Sequence, residues 1–257
     1  GFTGEELDSL MDWWTSYKRN ELPTLEERAW KALAEREKQR QEAEAAKQTA
    51  GATFAAIFAP DMRRNTIVGV TIALAMMLGS WGVFTLLPAW IGQLLGPANA
   101  VRAASTISWM FIYMNIGAVA GYVVLILFAD KLGRRLSYFL YSVGALVSIV
   151  YTCQPTTTLS QLQTMMPVLG FFIIGGFGNF AAYLPELFPT RIRATGQGFC
   201  YNMSRMLTAP GPLIAGALVG YFGNIPSASA AVAAFIVVGM VAIWFGPETA
   251  GQALRDR

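Results

Sequence analysis

From residue 66 onward the sequence is a train of six apolar stretches of membrane-crossing length, joined by short polar links. They run over 66–95, 104–128, 136–154, 159–184, 195–222 and 226–246. A helix needs about 20 mostly apolar residues to cross a hydrocarbon core ~30 Å thick, and each stretch has that length. Six in series are not the cores of soluble helices, and the strand-length alternation of a β-barrel is missing. The chain is 54% hydrophobic and 14% charged, against roughly 25% charged in a soluble domain. Most of the charge lies in residues 1–65. The expected fold is therefore an all-α membrane protein with six transmembrane helices. A water-exposed helical linker over 1–65 precedes the bundle at 66–246, and a short tail over 247–257 follows.

Lysine and arginine set the expected orientation. They crowd the segment before the first stretch, from Lys18 to Arg64. They return at Lys131, Arg134 and Arg135, then at Arg191 and Arg193, and in the tail at Arg255 and Arg257. The intervening links carry only Arg102. The positive-inside rule places both ends and both basic loops in the cytoplasm. The basic residues do not line one polar face, so no nucleic-acid partner is expected. Histidine is absent, which removes the commonest metal ligand, and no metal site is expected. There is no Gly-x4-Gly-Lys phosphate loop and no sign of a bound cofactor.

Smaller features add detail. Cys153 and Cys200 fall at different depths, so they read as apolar fillers rather than a disulfide. Thr24-Leu25-Glu26-Glu27 is a capping box, and Glu27 and Lys31 stand in the favourable i,i+4 order. Trp13, Trp14 and Tyr17, with Leu10, form an aromatic stripe suited either to the membrane interface or to a local protein contact. Gly117-x3-Gly121 and Gly216-x3-Gly220 read as close-packing faces, and Gly175, Gly176 and Gly178 as a thin stretch of helix.

Arg205 is the most telling single residue. It lies ten positions past Thr195, ~15 Å into a helix at 1.5 Å per residue and so near the bilayer midplane. Charge at that depth faces a cavity or a partner. Tyr201 and Asn202 lie a turn before it and Thr208 about a turn after, and Pro210-Gly211-Pro212 must break the helix beyond. Arg205, Asn202 and Tyr201 are therefore substrate-binding candidates. Asn115 and Asn179 either line the same path or make interhelical bonds worth ~0.6 kcal/mol.

Three motifs carry a family resemblance. Asp130-x-x-Gly133-Arg134-Arg135 resembles the loop motif of the major facilitator superfamily. Pro185-Glu186-Leu187-Phe188-Pro189-Thr190-Arg191, with Arg193, resembles the loop between that family's tenth and eleventh helices. Pro247-Glu248-Thr249, with Gly251, is similar to the closing motif of its sugar-porter-like branch. The resemblance extends from Ile57 to Leu254. One departure is Ile126, where the family loop often has glycine. The resemblance implies the C-terminal half of a twelve-helix transporter, preceded by the central cytoplasmic linker, with an N-terminal six-helix half as its missing partner.

Asp130, Gly133, Arg134, Arg135, Glu186, Arg193 and Glu248 then form an expected cytoplasmic gate. Gly133 allows the tight turn, Asp130 meets the amides of a helix start, and Arg134 and Arg135 fork onto Glu186 and Glu248. Arg193 bridges to Glu186. Exposed pairs of this kind are worth only ~0–1 kcal/mol, so they can break and reform. Past Asp61 the acids are Asp130, Glu186, Glu248 and Asp256, none of them deep in a span. A coupling carboxylate would belong to the missing half. Tyr201-Asn202-x-x-Arg205 after the Pro-Glu-Leu-Phe-Pro-Thr-Arg loop resembles bacterial proton-linked carriers of aromatic or sialic acids. The expected function is proton-linked secondary transport of a small organic anion or sugar acid across the cell membrane. A non-transporting membrane sensor, a facilitator for neutral sugars and a half-length protein working as a dimer remain open at this point. No enzymatic activity is expected.

Overall fold

The structure, a computed structural model, describes residues 8–15, 17–18, 36, 39 and 51–251. The capping box at 24–27, the Glu27–Lys31 pair and the tail residues Arg255, Asp256 and Arg257 lie outside them. The described residues contain helices and no strands. The chain divides into two compact units, Gly1–Ala52 and Thr53–Arg257. In the first, residues 8–15 are helical, and Trp13 stacks on Tyr17 with ring centroids 5.5 Å apart.

The second unit is a bundle of six rods. The first is α1, Arg63–Leu95. A short turn at Pro97–Asn99 leads into α2, Ala100–Leu132, and Gly133 separates that from α3, Arg134–Thr152. The fourth rod is composite: α4, Leu159–Leu169, a π-turn at Gly170–Ile174, then α5, Gly178–Glu186. The fifth is α6, Arg193–Thr208, and α7, Gly211–Phe222. The sixth is α8, Ile225–Ala233, and α9, Phe235–Ala242, closed by a tight turn at Ile243–Phe245.

Four of these rods are long and apolar enough to cross a membrane: Arg63–Leu95, Pro97–Leu132, Leu159–Glu186 and Ile225–Phe245. The other two fall short for a chemical reason. The third rod, α3, is short and sprinkled with hydroxyls from Ser137 to Tyr151. The fifth is cut by the expected break, with Ala209 and Pro210 in a turn, and α6 before it carries Gln197, Tyr201, Asn202, Ser204 and Arg205. A helix lining a polar path inside a bundle has this composition.

The core runs along α1, which packs against α6, α8 and α9. Ser204 on α6 donates to the Val70 carbonyl on α1 at 3.0 Å, and Cys200 lies against Thr66. Both cysteines are buried and free. The seam between α2 and the fourth rod is backbone against backbone. A Cβ on Gly117 would lie 1.9 Å from the Pro167 carbonyl oxygen, and one on Gly170 would lie 1.8 Å from that of Met114. The expected close-packing face at 117–121 is therefore present. At 216–220 no such face is formed among the described residues, where nothing stands within 4 Å of a Cβ at either glycine.

Candidate functional site

The charged residues gather where α2 ends, α3 begins and the sixth rod closes. Gly133 takes φ +90°, a left-handed value open to glycine. That turn starts α3 with free amides, and Glu248 reaches across from the end of the sixth rod to accept them. Its carboxylate takes the amide of Arg134 at 2.8 Å and that of Arg135 at 3.2 Å. It also takes its own tail's amides, Thr249 at 3.0 Å and Ala250 at 3.1 Å. Burial raises the carboxyl pKa, but these four donors outweigh it and hold Glu248 below its ordinary value of 4.5. The expectation gave this capping role to Asp130. Asp130 instead pairs with the Arg134 side chain at 2.8 Å and is 75% exposed.

Arg134 forks onto Glu186 through Nε at 3.0 Å and Nη2 at 2.9 Å. The Glu186 bonds hold the guanidinium above its ordinary pKa, against the desolvation that lowers it. Thr249 Oγ1 donates to the same carboxylate at 2.6 Å. The side chains of Arg134 and Glu186 are only 15% and 18% exposed, so this is not the surface pair that was expected. Arg193 does not bridge to Glu186. It donates to the Pro185 carbonyl at 3.2 Å and to Thr190 Oγ1 at 3.1 Å, tying its own loop. Arg135 forks onto no carboxylate; it donates to the Trp244 carbonyl at 2.9 Å.

Two predictions follow from this geometry. Glu186→Gln leaves a mostly buried guanidinium with only the exposed Asp130 as its counter-charge, a loss of about 2–3 kcal/mol. Thermal melting should fall by roughly 5–10 °C, and adding Arg134→Gln should recover part of the loss. Additive losses would exclude direct dependence of one on the other. Glu248 has a depressed pKa, so its stabilisation is complete above pH 4.5 and is lost as pH falls through the folded-state value. The advantage in melting temperature of the native protein over Glu248→Gln should be full at pH 7 and vanish in strong acid. An advantage independent of pH would show that the carboxylate charge is not what caps α3.

Near the charged end, α2, α5 and α6 line a half-open pocket of about 290 Å3. Tyr122 enters from α2, Phe180 and Ala181 from α5, Gln197 and Tyr201 from α6, and Phe177 from the turn before α5. A second cavity of about 410 Å3 shares Tyr122 and Ala181 and leads down to Asp130 and Arg134. The two pockets are neighbours along α2 and α5, near the charged end. Arg205 stands one turn past Tyr201, its guanidinium 5.9 Å from that ring's centroid. It is exposed and has no ion pair or hydrogen bond among the described residues. Asn202 and Asn115 are exposed, and each donates to a carbonyl of its own helix, Gly198 and Phe111. Asn115 shares a face of α2 with Tyr122, two turns away. Asn179 is not brought to this cavity: it is 3% exposed and donates to the Gly176 carbonyl at 3.0 Å.

Tyr122, Gln197, Phe177 and Phe180 were not singled out from the sequence. A signal existed for one of them. Gln197 lies one turn before Tyr201 and extends the polar stripe 197–201–205.

Apolar helical rods of this length mark a multi-pass membrane protein. A family model described as "Sugar (and other) transporter" matches residues 14–256, and the chain belongs to that family, a sugar-porter-like branch of the major facilitator superfamily. It is similar to the "Probable 4-methylmuconolactone transporter" of Cupriavidus pinatubonensis, 30% identical over 210 residues, 80% of this chain and 46% of that protein. The "Cis,cis-muconate transport protein" of Acinetobacter baylyi is 30% identical over 176 residues, 66% of this chain and 39% of its own. A niacin transporter of the same species is 23% identical over 208 residues, 79% of this chain and 45% of its own. The chain spans less than half the length of these relatives. Family and relatives are transporters, not enzymes.

Proposed function

We propose that the protein containing this chain is a secondary transporter that moves a small organic anion through the path beside α6. The observation that carries this reading is Arg205: a cation unpaired among the described residues, 5.9 Å from the ring of Tyr201, which lines a pocket with Tyr122, Gln197 and two phenylalanines. A carboxylate would take the guanidinium fork, and a flat unsaturated body would lie against the aromatic walls. Muconate and niacin, for which two relatives are named, are carboxylates of this kind. The proton-coupling acid belongs to the other half, because the described acids past Asp61 sit at the charged end. That end faces the cytoplasm of a cell membrane by the positive-inside rule, and the charged cluster serves as the gate's fixed side.

Uptake into proteoliposomes holding the whole protein tests the reading. Labelled niacin or muconate should accumulate under an inward proton gradient and be displaced by other small carboxylates but not by glucose. Glucose entry unaffected by carboxylates would overturn it in favour of a neutral-sugar facilitator, and absence of any uptake in favour of a sensor. Orientation has its own readout. A cysteine introduced at Pro97 should react with an impermeant reagent added outside, and one at Leu132 should not; the reverse would invert the topology.

A further inference from the structure

The outer face of the sixth rod ends in an arrangement that the transport path does not use. Val237, Val238, Val241, Ala242 and Phe245 line a groove of about 400 Å3. Their spacing sets them along one side of α9 and its closing turn. Every side chain in it is a hydrocarbon, and the valines and Phe245 are roughly half exposed. In a membrane protein such a groove accommodates an acyl chain.

At its charged end the groove meets two guanidiniums. Phe245, which closes it, presents its carbonyl to Arg64 Nε at 2.9 Å. The preceding carbonyl, Trp244, accepts from Arg135 Nη2 at 2.9 Å, and the Arg135 guanidinium lies 4.9 Å from the Trp244 ring centroid. Consecutive carbonyls of one short turn thus fix both cations beside the same end. Neither is in an ion pair among the described residues. Both keep donors to spare, and Arg135 Nε is buried without a hydrogen-bond partner among the described residues. Trp244 is half exposed, at the level where indole rings favour the membrane–water boundary.

We infer that this is a binding site for an anionic phospholipid, with one acyl chain in the valine groove and the phosphate against Arg64 and Arg135. The Glu248 carboxylate beside Arg135 is taken up by backbone amides, and two guanidiniums outside any ion pair among the described residues select a net negative headgroup over a zwitterionic one. The apolar groove selects a lipid over a free anion.

The test is native mass spectrometry of the purified, delipidated whole protein, titrated with dioleoyl phosphatidylglycerol or dioleoyl phosphatidylcholine. Phosphatidylglycerol should be retained about tenfold better. The double substitution Arg64→Gln with Arg135→Gln should abolish that preference. Because those arginines also hold the end of the sixth rod, Val241→Trp provides a variant that leaves them untouched. It fills the groove, and it should reduce retention of both lipids without lowering the melting temperature. Equal retention of the two lipids by the native protein would overturn the assignment, as it would if a second copy or the other half covers this face. Displacement of the bound lipid by inorganic phosphate alone would overturn it too, by showing an anion site without the groove.

Discussion

Replacing Arg205 by alanine is expected to abolish binding of a carboxylate substrate while leaving the bundle folded. The side chain makes no hydrogen bond among the described residues and only a distant ring contact with Tyr201, a contribution of about 0.5–1 kcal/mol to stability. Its loss should move the melting temperature by only a few degrees. A forked contact to a desolvated carboxylate is worth far more, about 3 kcal/mol on truncation, which is a factor of ~100 in affinity. Arg205→Lys keeps the charge and loses the planar fork, so an intermediate loss near tenfold is expected. Both variants should be measured by calorimetric binding to the purified whole protein, with thermal melting alongside. Native affinity in Arg205→Ala would remove the residue from the site. Lost affinity with a collapsed melting transition would make it a structural arginine.

A single methyl group should have the largest effect on folding. At Gly117 and Gly170 an added Cβ would meet backbone oxygens at 1.9 Å and 1.8 Å, and no side-chain rearrangement can clear a carbonyl. Alanine in a helix ordinarily stabilises relative to glycine by ~0.5–1 kcal/mol. Here the clash forces α2 away from the fourth rod, at a loss of ~3 kcal/mol or more. Gly117→Ala and Gly170→Ala should therefore yield protein that melts far lower or does not survive purification. Gly216→Ala and Gly220→Ala, with open space around them, serve as the internal control and should be neutral or slightly stabilising. Similar melting for all four would show that the α2 seam is looser than its geometry.

Gly117-x3-Gly121 and Gly216-x3-Gly220 also explain what was legible in the sequence. Both have the same spacing in apolar helices, yet only the first meets a neighbour among the described residues, because a small-residue face says nothing of what lies opposite. The rods fared better. The apolar stretches end within about four residues of the observed helices, since in lipid the backbone must satisfy its own hydrogen bonds. The break after Arg205 followed directly from Pro210-Gly211-Pro212. Among the charged residues, Arg134 and Arg135 were both matched with Glu186 and Glu248, and of these four forks only Arg134 onto Glu186 is made among the described residues. The exchange of roles between Asp130 and Glu248 was not. Which acid reaches the start of α3 depends on where the sixth rod ends in space. The cavity was half visible: Tyr201 and Arg205 share a helical face, whereas Tyr122 is one aromatic residue in a long apolar run and gains its meaning only from standing opposite them.

The cap on α3 has a consequence for how the molecule is made. Arg134 and its acceptor Glu248 are 114 residues apart. At ordinary synthesis speeds roughly 6–23 s separate their emergence from the ribosome. Throughout that interval the first amides of α3 lack their acceptor, and the Arg134–Glu186 pair can form only once Glu186, 52 residues on, has been made. The third rod thus enters the bilayer as a provisional element, and residues translated just after the sixth rod are the ones that fasten it.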